Sequence, residues 1–311
     1  MIEVFRNPNY DFIGKRQWAY YVSIAFTVIG LLSLIVKGGL RYDIDFTGGT
    51  LVQVRFEQAV GIDRIRASLA KIGLGDSVIQ QFGDPREFIL RMPLSAERPE
   101  EIGRRVQAAL SGDAALGKFD IRRVEFVGPQ VGRDLQFQAI YAVLAGLAGI
   151  LLYIAMRFDL RGGVAAVVAV LHDVLVCLGA LSITNREFSL PVLAALLTII
   201  GYSVNDTIVA YDRLRENRGK SQRGLTFAQQ MNLAVNQTLS RTVLTSLTTF
   251  FSAAILLFFG GKTLEDFAFV LFVGVITGTY STTYVAAAIV VDWTNYVEGR
   301  IRRAKKAVAK A

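Results

Sequence analysis

Ionisable side chains inside long apolar stretches are the residues of this sequence with the clearest capacity for chemistry. Asp206 lies seven residues before Arg213, inside an apolar run, and Arg241 opens the next run. At 1.5 Å per helical residue, Asp206 is about 10 Å inside the boundary that Arg213 marks, so Asp206 and Arg241 have similar depth and could pair. Burial favours the neutral acid while an arginine favours the carboxylate, and a group balanced in this way can bind and release a proton. The alternative is a static ion pair that holds two helices together.

His172 and Asp173 form a second polar pair, midway along another apolar run. Charge is costliest at the centre of a membrane, and ionisable groups there usually serve a pathway, a pairing or a counter-ion. The two side chains could be neutral and hydrogen-bonded to each other. They could instead form a second step of a proton path, or make a polar contact with a neighbouring helix.

Other polar residues accompany the first pair. Asn205 precedes Asp206, and we expect it to orient the carboxyl group by a hydrogen bond. Thr245 and Thr248 follow Arg241 at helical spacing, and their hydroxyl groups could line a file of water molecules or join neighbouring helices. The predicted ion pathway therefore comprises Asp206, Arg241, Asn205, Asp173, His172, Thr245 and Thr248.

The composition is that of a membrane protein. Of 311 residues, 52% are hydrophobic and only 19% are charged, whereas soluble domains carry about a quarter charged residues. The single cysteine, Cys177, excludes an intrachain disulfide and a cysteine cluster for a metal, and the single histidine excludes a multi-histidine site. The segment GGKT at 260–263 lacks the first glycine of a phosphate-binding loop, because Leu256 stands in its place. We therefore expect no cofactor and no enzymatic activity.

Six apolar stretches are long enough to cross a lipid bilayer as helices, which takes about 20 residues. They are predicted at residues 17–36, 135–156, 162–183, 190–211, 242–260 and 267–293. Lys15 and Arg16 before the first stretch resemble the start of a signal peptide. That stretch is too long, however, and ends without a small-residue cleavage site, so we expect an uncleaved span. The sequence predicts an α-helical membrane protein with a bundle of six transmembrane helices.

Basic residues in the short flanks of these spans set the predicted orientation. They lie before the first span, between the second and third, after the fourth and after the sixth: Arg6, Lys15, Arg16, Arg157, Arg161, Arg213, Arg215, Arg218, Lys220, Arg223, Arg300, Arg302, Arg303, Lys305 and Lys306. All of them fall on one side if both termini are cytoplasmic in a bacterial inner membrane. The net charge of +8 then reflects membrane topology, and we expect no nucleic-acid partner. The predicted divisions are 1–37, a periplasmic domain at 38–134, the remaining spans at 135–299, and a basic tail at 300–311.

The periplasmic domain alternates between strand-like and helix-like patterns. These patterns predict strands at 50–56, 77–82, 87–92 and 119–126 and helices at 62–72 and 99–110. The order strand, helix, strand, strand, helix, strand is that of an α+β ferredoxin-like domain. Such a domain is a scaffold for binding or leverage and does not by itself indicate a reaction. Its junctions with the spans, at 38–39 and 128–129, could be hinges or ordinary turns.

Four motifs resemble the SecD/SecF family of protein-export membrane proteins. They are DFTGGT at 45–50, LHDV at 171–174, GYSVNDTIVAYDRLREN at 201–217 and TLSRTVLTSLTT at 238–249. The similarity covers nearly the whole chain, and the motif at 201–217 is long enough to be highly specific. It implies membership of the resistance-nodulation-division superfamily, with six helices and one periplasmic domain between the first two.

The resemblance also implies partners and a mechanism. Six spans imply a separate SecD subunit, which supplies the other half of the complex. The family associates with the SecYEG channel and uses the proton-motive force, or sodium in some members, to promote export of a translocating preprotein. By motif, the aspartate and arginine implicated in ion passage correspond to Asp206 and Arg241. A non-transporting scaffold of the translocon and a small-molecule efflux component of the same superfamily are the alternatives.

Overall fold

The structure, a computed structural model, describes residue 5 and residues 8–93, 98–219 and 224–308. Of the predicted basic flanks, Arg6, Lys220 and Arg223 lie outside the described residues. The helices are α1 (Arg16–Val36), α2 (Ile44–Thr47), α3 (Ile62–Ala70), α4 (Pro99–Ser111), α5 (Pro129–Arg157), α6 (Leu160–Ile183), α7 (Leu190–Gly219), α8 (Phe227–Phe259), α9 (Lys262–Ser281) and α10 (Ala287–Val308). The strands are β1 (Arg41–Tyr42), β2 (Gly49–Phe56), β3 (Val78–Gln81), β4 (Glu87–Met92), β5 (Phe119–Val127) and β6 (Glu187–Phe188).

Six helical segments of the described chain are long and apolar enough to cross a membrane, as the sequence predicts. They are α1, α5, α6, α7, α8 and a last segment, Lys262–Lys305. That last segment joins α9 and α10 through a turn of π-helix, Thr282–Ala286. The fifth span, predicted from residue 242, is the inner part of a longer helix, because Thr226 and Gln229 form a capping box that starts α8 in polar sequence. The chain is a multi-pass membrane protein.

Small residues bring the central spans into close contact. Gly30 of α1 and Gly179 of α6 meet so closely that a methyl group added at Gly179 would lie 2.5 Å from the Cα atom of Gly30. Gly274 and Gly278 of α9 face α7, and a methyl group at Gly278 would lie 3.1 Å from the Cβ atom of Ser203. Membrane helices associate through such close packing. Lipid tails are as apolar as the side chains, so the hydrophobic effect does not drive the helices together.

The domain between α1 and α5 contains a four-stranded antiparallel sheet with the order β3-β4-β2-β5. The elements β2, α3, β3, β4, α4 and β5 occur in the predicted order, and their bounds agree with the prediction to within two residues. One face of the sheet packs on α3 and α4. Its core contains Val52 and Val54 of β2, Leu90 of β4, Ile65 of α3 and Val106 of α4, all fully buried.

Helix α2 is a junction between this domain and the spans that the sequence did not predict. Ile44 packs against Leu51 and Ile89 on the open face of the sheet. Phe46, only 2% exposed, packs instead among the ends of the spans, with its ring centroid 5.2 Å from that of Phe188. Just before α2, strand β1 pairs in parallel with β6 in the loop between α6 and α7. The short helix therefore has apolar contacts on both sides, one with the domain and one with the bundle.

The two predicted hinge positions differ from each other. Gly38 and Gly39 have φ angles of 74° and 119°, and no atom lies within 4 Å of a methyl group added at either. No neighbouring residue restricts the backbone there, and its positive φ angles favour glycine. At the other junction, Gly128 has φ −68° and Pro129 begins α5, which is an ordinary helix start.

The contact between α1 and α6 leads to a stability prediction. We expect Gly179→Ala to destabilise the protein by about 1–3 kcal/mol, because the new methyl group meets backbone, which cannot rotate away. The measurement is thermal unfolding of the purified protein in detergent. The control is Gly149→Ala in α5, where no atom lies within 4 Å of the added methyl group and the better helix propensity of alanine favours stability. Equal stability of the two variants would contradict the prediction.

Candidate functional site

Asp206 lies on the inner face of α7 and is 3% exposed. Its Oδ2 atom is buried and forms no hydrogen bond with any residue in the described ranges. Buried polar atoms are nearly always paired, so an unpaired one requires an explanation such as a water molecule, an ion or a functional role. Inside a membrane, an unpartnered carboxyl oxygen is a place where a proton or a cation can bind.

Arg241 does not form the predicted ion pair with Asp206. Its side chain lies on the exposed face of α8, near enough to Asp206 for an electrostatic interaction, but no ion pair joins the two within the part of the chain that the structure describes. Thr242 and Ser246, both 8% exposed, occupy the inner face of α8 instead. Successive residues of a helix point about 100° apart, so burial of Thr242 turns Arg241 outward.

Thr245, Thr248 and Asn205 also lie away from the interior. The hydroxyl groups of Thr245 and Thr248 donate to carbonyls of their own helix at 3.0 and 3.1 Å. Asn205 is exposed on α7, and the described residues include no hydrogen bond from it to Asp206. The predicted hydroxyl stripe of α8 is therefore an outer surface, and the predicted orienting role of Asn205 is wrong for this arrangement.

Asp173 is the polar centre of the bundle. This residue of α6 is 1% exposed, and its Oδ2 atom accepts hydrogen bonds from the Ser203 hydroxyl at 2.6 Å and the Ser281 hydroxyl at 2.7 Å. Nδ1 of His172 lies 3.1 Å from the other carboxyl oxygen. Asp173 thus joins α6 to α7 and α9.

His172 carries the second buried polar atom without a partner. Its Nδ1 atom faces Asp173. Nε2 is buried and has no hydrogen bond among the described residues. The ring lies beside Tyr280, at 6.3 Å between centroids, and the Tyr280 hydroxyl donates to the carbonyl of Ala19 in α1 at 2.7 Å. Of the outcomes left open for this pair, the structure shows the mutual hydrogen bond and, through Asp173, contact with neighbouring helices.

The π-helical turn places two successive hydroxyl groups in the interior. Ser281 faces Asp173, and the next residue, Thr282, lies 3.1 Å from the Thr207 hydroxyl of α7. Both residues are buried, and π-helical turns are frequent at functional sites. Thr207 directly follows Asp206, so this contact borders the unpaired carboxyl group.

A second hydroxyl cluster joins α7, α8 and α9. The Tyr202 hydroxyl donates to Ser246 at 3.1 Å, and Ser246 lies 2.7 Å from the Thr279 hydroxyl. Tyr202 and Ser203 precede Asp206 by four and three residues, so both lie one helical turn away on the same side. The carboxyl group of Asp206 therefore stands next to both hydroxyl clusters.

The interior thus contains two buried polar atoms beside several hydroxyl groups. Asp206 Oδ2 and His172 Nε2 are buried without a hydrogen-bond partner in the described ranges, and each hydroxyl group of the two clusters can donate and accept a hydrogen bond. The sequence reasoning found the acids and the histidine but missed the inner hydroxyl residues Tyr202, Ser203, Thr207, Thr279, Ser281 and Thr282. A signal was available for two of them, since Gly274, Gly278 and Thr282 share a four-residue spacing and Ser203 stands one turn before Asp206.

The helix that carries Asp206 is tied to the external domain at its other end. Oδ2 of Asp45, in α2, accepts a hydrogen bond from the backbone N–H of Leu190, the first residue of α7, at 3.0 Å. Burial raises the pKa of Asp45, and this hydrogen bond acts in the opposite direction. On the other side of α2, the carbonyl of Phe46 accepts a hydrogen bond from Gln136 of α5 at 2.7 Å. The motif at 45–50 thus joins β2 to the start of α7.

Comparison with known families identifies two matching regions. Residues 107–296 match the family described as "Protein export membrane protein SecD/SecF, C-terminal". Residues 33–60 match the SecD/SecF GG motif, which contains the junction built by α2. The two matches cover the junction and the five spans after it, among them α6, α7, α8 and α9, which form the polar interior.

Several curated relatives are similar over nearly the whole chain. The protein translocase subunit SecF of Desulfurispirillum indicum is 45% identical and that of Calditerrivibrio nitroreducens 41%, with 94% and 93% of this chain covered and 94% and 96% of theirs. The crystal structure of SecDF from Thermus thermophilus, a translocon-associated membrane protein, matches with a TM-score of 0.82 at 44% identity. The match covers 93% of this chain and 39% of that one.

The different surroundings of the two buried aspartates lead to a prediction. We expect Asp173→Ala to lower the stability of the protein by about 1–3 kcal/mol, because it leaves the Ser203 and Ser281 hydroxyls without their acceptor. Asp206→Ala serves as the matched control and is expected to leave the unfolding temperature in detergent unchanged or raised, since no hydrogen bond to Oδ2 is lost. A larger loss of stability for Asp206→Ala than for Asp173→Ala would contradict this prediction.

Proposed function

The chain belongs to the SecD/SecF family of protein-export membrane proteins and groups with its SecF subunits, and from that premise we propose that it uses an ion gradient to promote export. The transported ion is a proton or a sodium ion, and the exported chain is a preprotein that passes through the SecYEG channel. The observation that carries this proposal is the buried Oδ2 atom of Asp206, which has no partner among the described residues.

Asp206 is the proposed loading site for the ion. It lies in the membrane beside two hydroxyl clusters, and Arg241 on the outer face of α8 supplies positive charge nearby. His172 and Asp173 are the proposed second binding position for the ion, and Ser203 of α7 donates a hydrogen bond to Asp173. Movement of one charge through about 100 mV releases roughly 2.3 kcal/mol, enough to shift a two-state equilibrium more than tenfold.

We propose that ion passage moves the domain between α1 and α5, which we call the external domain. Asp45 binds the first residue of α7, so a shift of the helix that carries Asp206 reaches α2 and the sheet directly. We assign this domain, at 38–134, to the ferredoxin-like class and to the periplasm. The described basic flanks, among them Arg157, Arg161 and Arg213, support an inner-membrane orientation with both termini cytoplasmic.

A separate SecD subunit is the proposed partner within the membrane. Arg241 and Thr248 on α8 and Asn205 on α7 are exposed polar residues, and lipid would leave the Arg241 and Asn205 side chains poorly solvated. The Thermus thermophilus SecDF chain is more than twice as long as this one, since this chain matches 39% of it. A second membrane subunit against this face would supply the remainder of such a complex.

Two other functions would account for fewer of these observations. A scaffold that only stabilises the translocon would need Asp173 and its hydroxyl partners but not an unpaired Asp206. A small-molecule efflux component would be expected to carry larger external domains and more spans. We propose that the chain is not an enzyme.

Neutralising Asp206 tests the proposal. In vesicles that contain this protein with SecD and SecYEG, we expect Asp206→Asn to reduce gradient-dependent preprotein export by roughly tenfold or more, because the lost coupling is worth about 2.3 kcal/mol per charge at 100 mV. The matched control is Asp212→Asn, on the same helix, where the side chain is 36% exposed and pairs with Arg157. Export with and without an uncoupler is measured together with co-purification of SecD.

Two outcomes separate transporter from scaffold. Loss of export with SecD still bound, and near-normal export by Asp212→Asn, supports ion coupling at Asp206. Undiminished export by Asp206→Asn removes Asp206 from the mechanism and favours the scaffold.

A further inference from the structure

A buried ion pair connects the open face of the external sheet to the membrane bundle. The guanidinium group of Arg91, on β4, makes two hydrogen bonds with the carboxylate of Glu187, in the loop between α6 and α7. A third bond reaches Oδ1 of Asp43, the residue before α2, at 3.0 Å. The side chains of Arg91 and Glu187 are 13% and 11% exposed, so the pair is largely removed from water.

The bundle end of this connection is itself well anchored. Arg186, next to Glu187, pairs with Asp266 at 2.5 Å and Glu265 at 2.8 Å in α9, and its guanidinium lies 4.4 Å from the centre of the Phe269 ring. Glu187 therefore sits on a rigid part of the membrane half. On the domain side, Arg91 belongs to an inner strand of the sheet, so a movement of Arg91 is a movement of the whole domain.

The remaining contacts between the two halves are of a different kind. At α2, Ile44 and Phe46 make apolar contacts with the sheet and the spans respectively. The chain leaves α2 through Gly48 and Gly49, with φ angles of 70° and 130°, where glycine permits bending. The α2 side of the interface thus combines these apolar contacts with hydrogen bonds from Leu190 to Asp45 and from Gln136 to Phe46 and with the pairing of β1 and β6. The other side is ionic.

A polar cleft separates these two halves beside the ion pair. It has a volume of about 430 Å³ and is lined by Gln53, Gln80 and Arg123 from the sheet and by Lys262 and Asp266 from the bundle. Interfaces between domains that are polar and open in this way permit relative motion. The cleft leaves space into which the domain can tilt about α2.

We propose that the Arg91–Glu187 pair, with Asp43, is a latch that holds the external domain against the membrane bundle and opens when the domain tilts about α2 during export. This inference rests on the proposed function, in which ion passage drives the domain. The latch involves no residue of the ion pathway, so it adds a mechanical element to that function.

An ion pair is suited to a contact that must open repeatedly. The cost of removing both charges from water offsets most of their attraction, so the net stability of such a pair is small even when its geometry is good. Both side chains regain hydration when the pair separates. An apolar contact of the kind made by Phe46 exposes surface to water when it opens and has no such compensation.

Reversible covalent closure tests the latch. Arg91→Cys and Glu187→Cys are combined, with Cys177→Ala to remove the native thiol, and the pair is joined by a short bifunctional thiosulfonate reagent in vesicles with SecD and SecYEG. We expect the joined protein to lose at least tenfold in gradient-dependent export and to regain it on reduction. The matched control is Arg64→Cys with Asp113→Cys, which replaces an ion pair of 3.0 Å within the domain; joining that pair should leave export unchanged.

A second variant tests the latch independently of whether the double-cysteine protein folds. Arg91→Lys keeps the charge, and a carbodiimide couples the new amine to Glu187 only when the latch is closed. We expect coupling to decrease when an ion gradient and a preprotein are supplied and to recover with an uncoupler. Undiminished export by either joined protein would overturn the latch. This outcome is independent of Asp206, because joined and unjoined forms of one protein are compared, so the latch and the ion coupling can fail separately.

Discussion

The hydrocarbon interior of a membrane imposes the constraint on which this structure depends. Every polar group there must find a partner within the protein, because no water is present to replace one. Asp173 meets this requirement with two hydroxyl donors from α7 and α9 and with His172 from its own helix. The helices pack around that carboxyl group, and glycines allow them to approach one another closely.

Asp206 departs from the rule that Asp173 follows. The two acids are on adjacent spans and share Ser203 as a neighbour, one through a hydrogen bond and the other through one turn of helix. One is satisfied and the other has a free oxygen. A protein that only needed to hold its helices together would gain by pairing both acids, and this difference is the reason that Asp206 is the proposed loading site.

The connection between membrane and external domain runs through few residues. Asp45 caps α7, Phe46 is buried between spans, and Gly48 and Gly49 turn the chain into β2. These residues lie in one short motif because a single turn of helix must contact the sheet on one side and the bundle on the other. Substitution by larger residues is excluded at Gly49, where an added methyl group would lie 2.6 Å from the Met92 carbonyl.

Periodicity along the chain determined which segments are spans, strands and helices, because burial imposes a regular pattern on apolar residues. It also marked Asp206, His172 and Asp173, since charge within an apolar run is conspicuous. Only the tertiary structure decided which side of each helix faces inward. That rotation turned Arg241 and Thr248 outward and brought Ser203 and Ser281 to Asp173. Contacts between residues far apart in the chain set the rotation, and no local pattern records them.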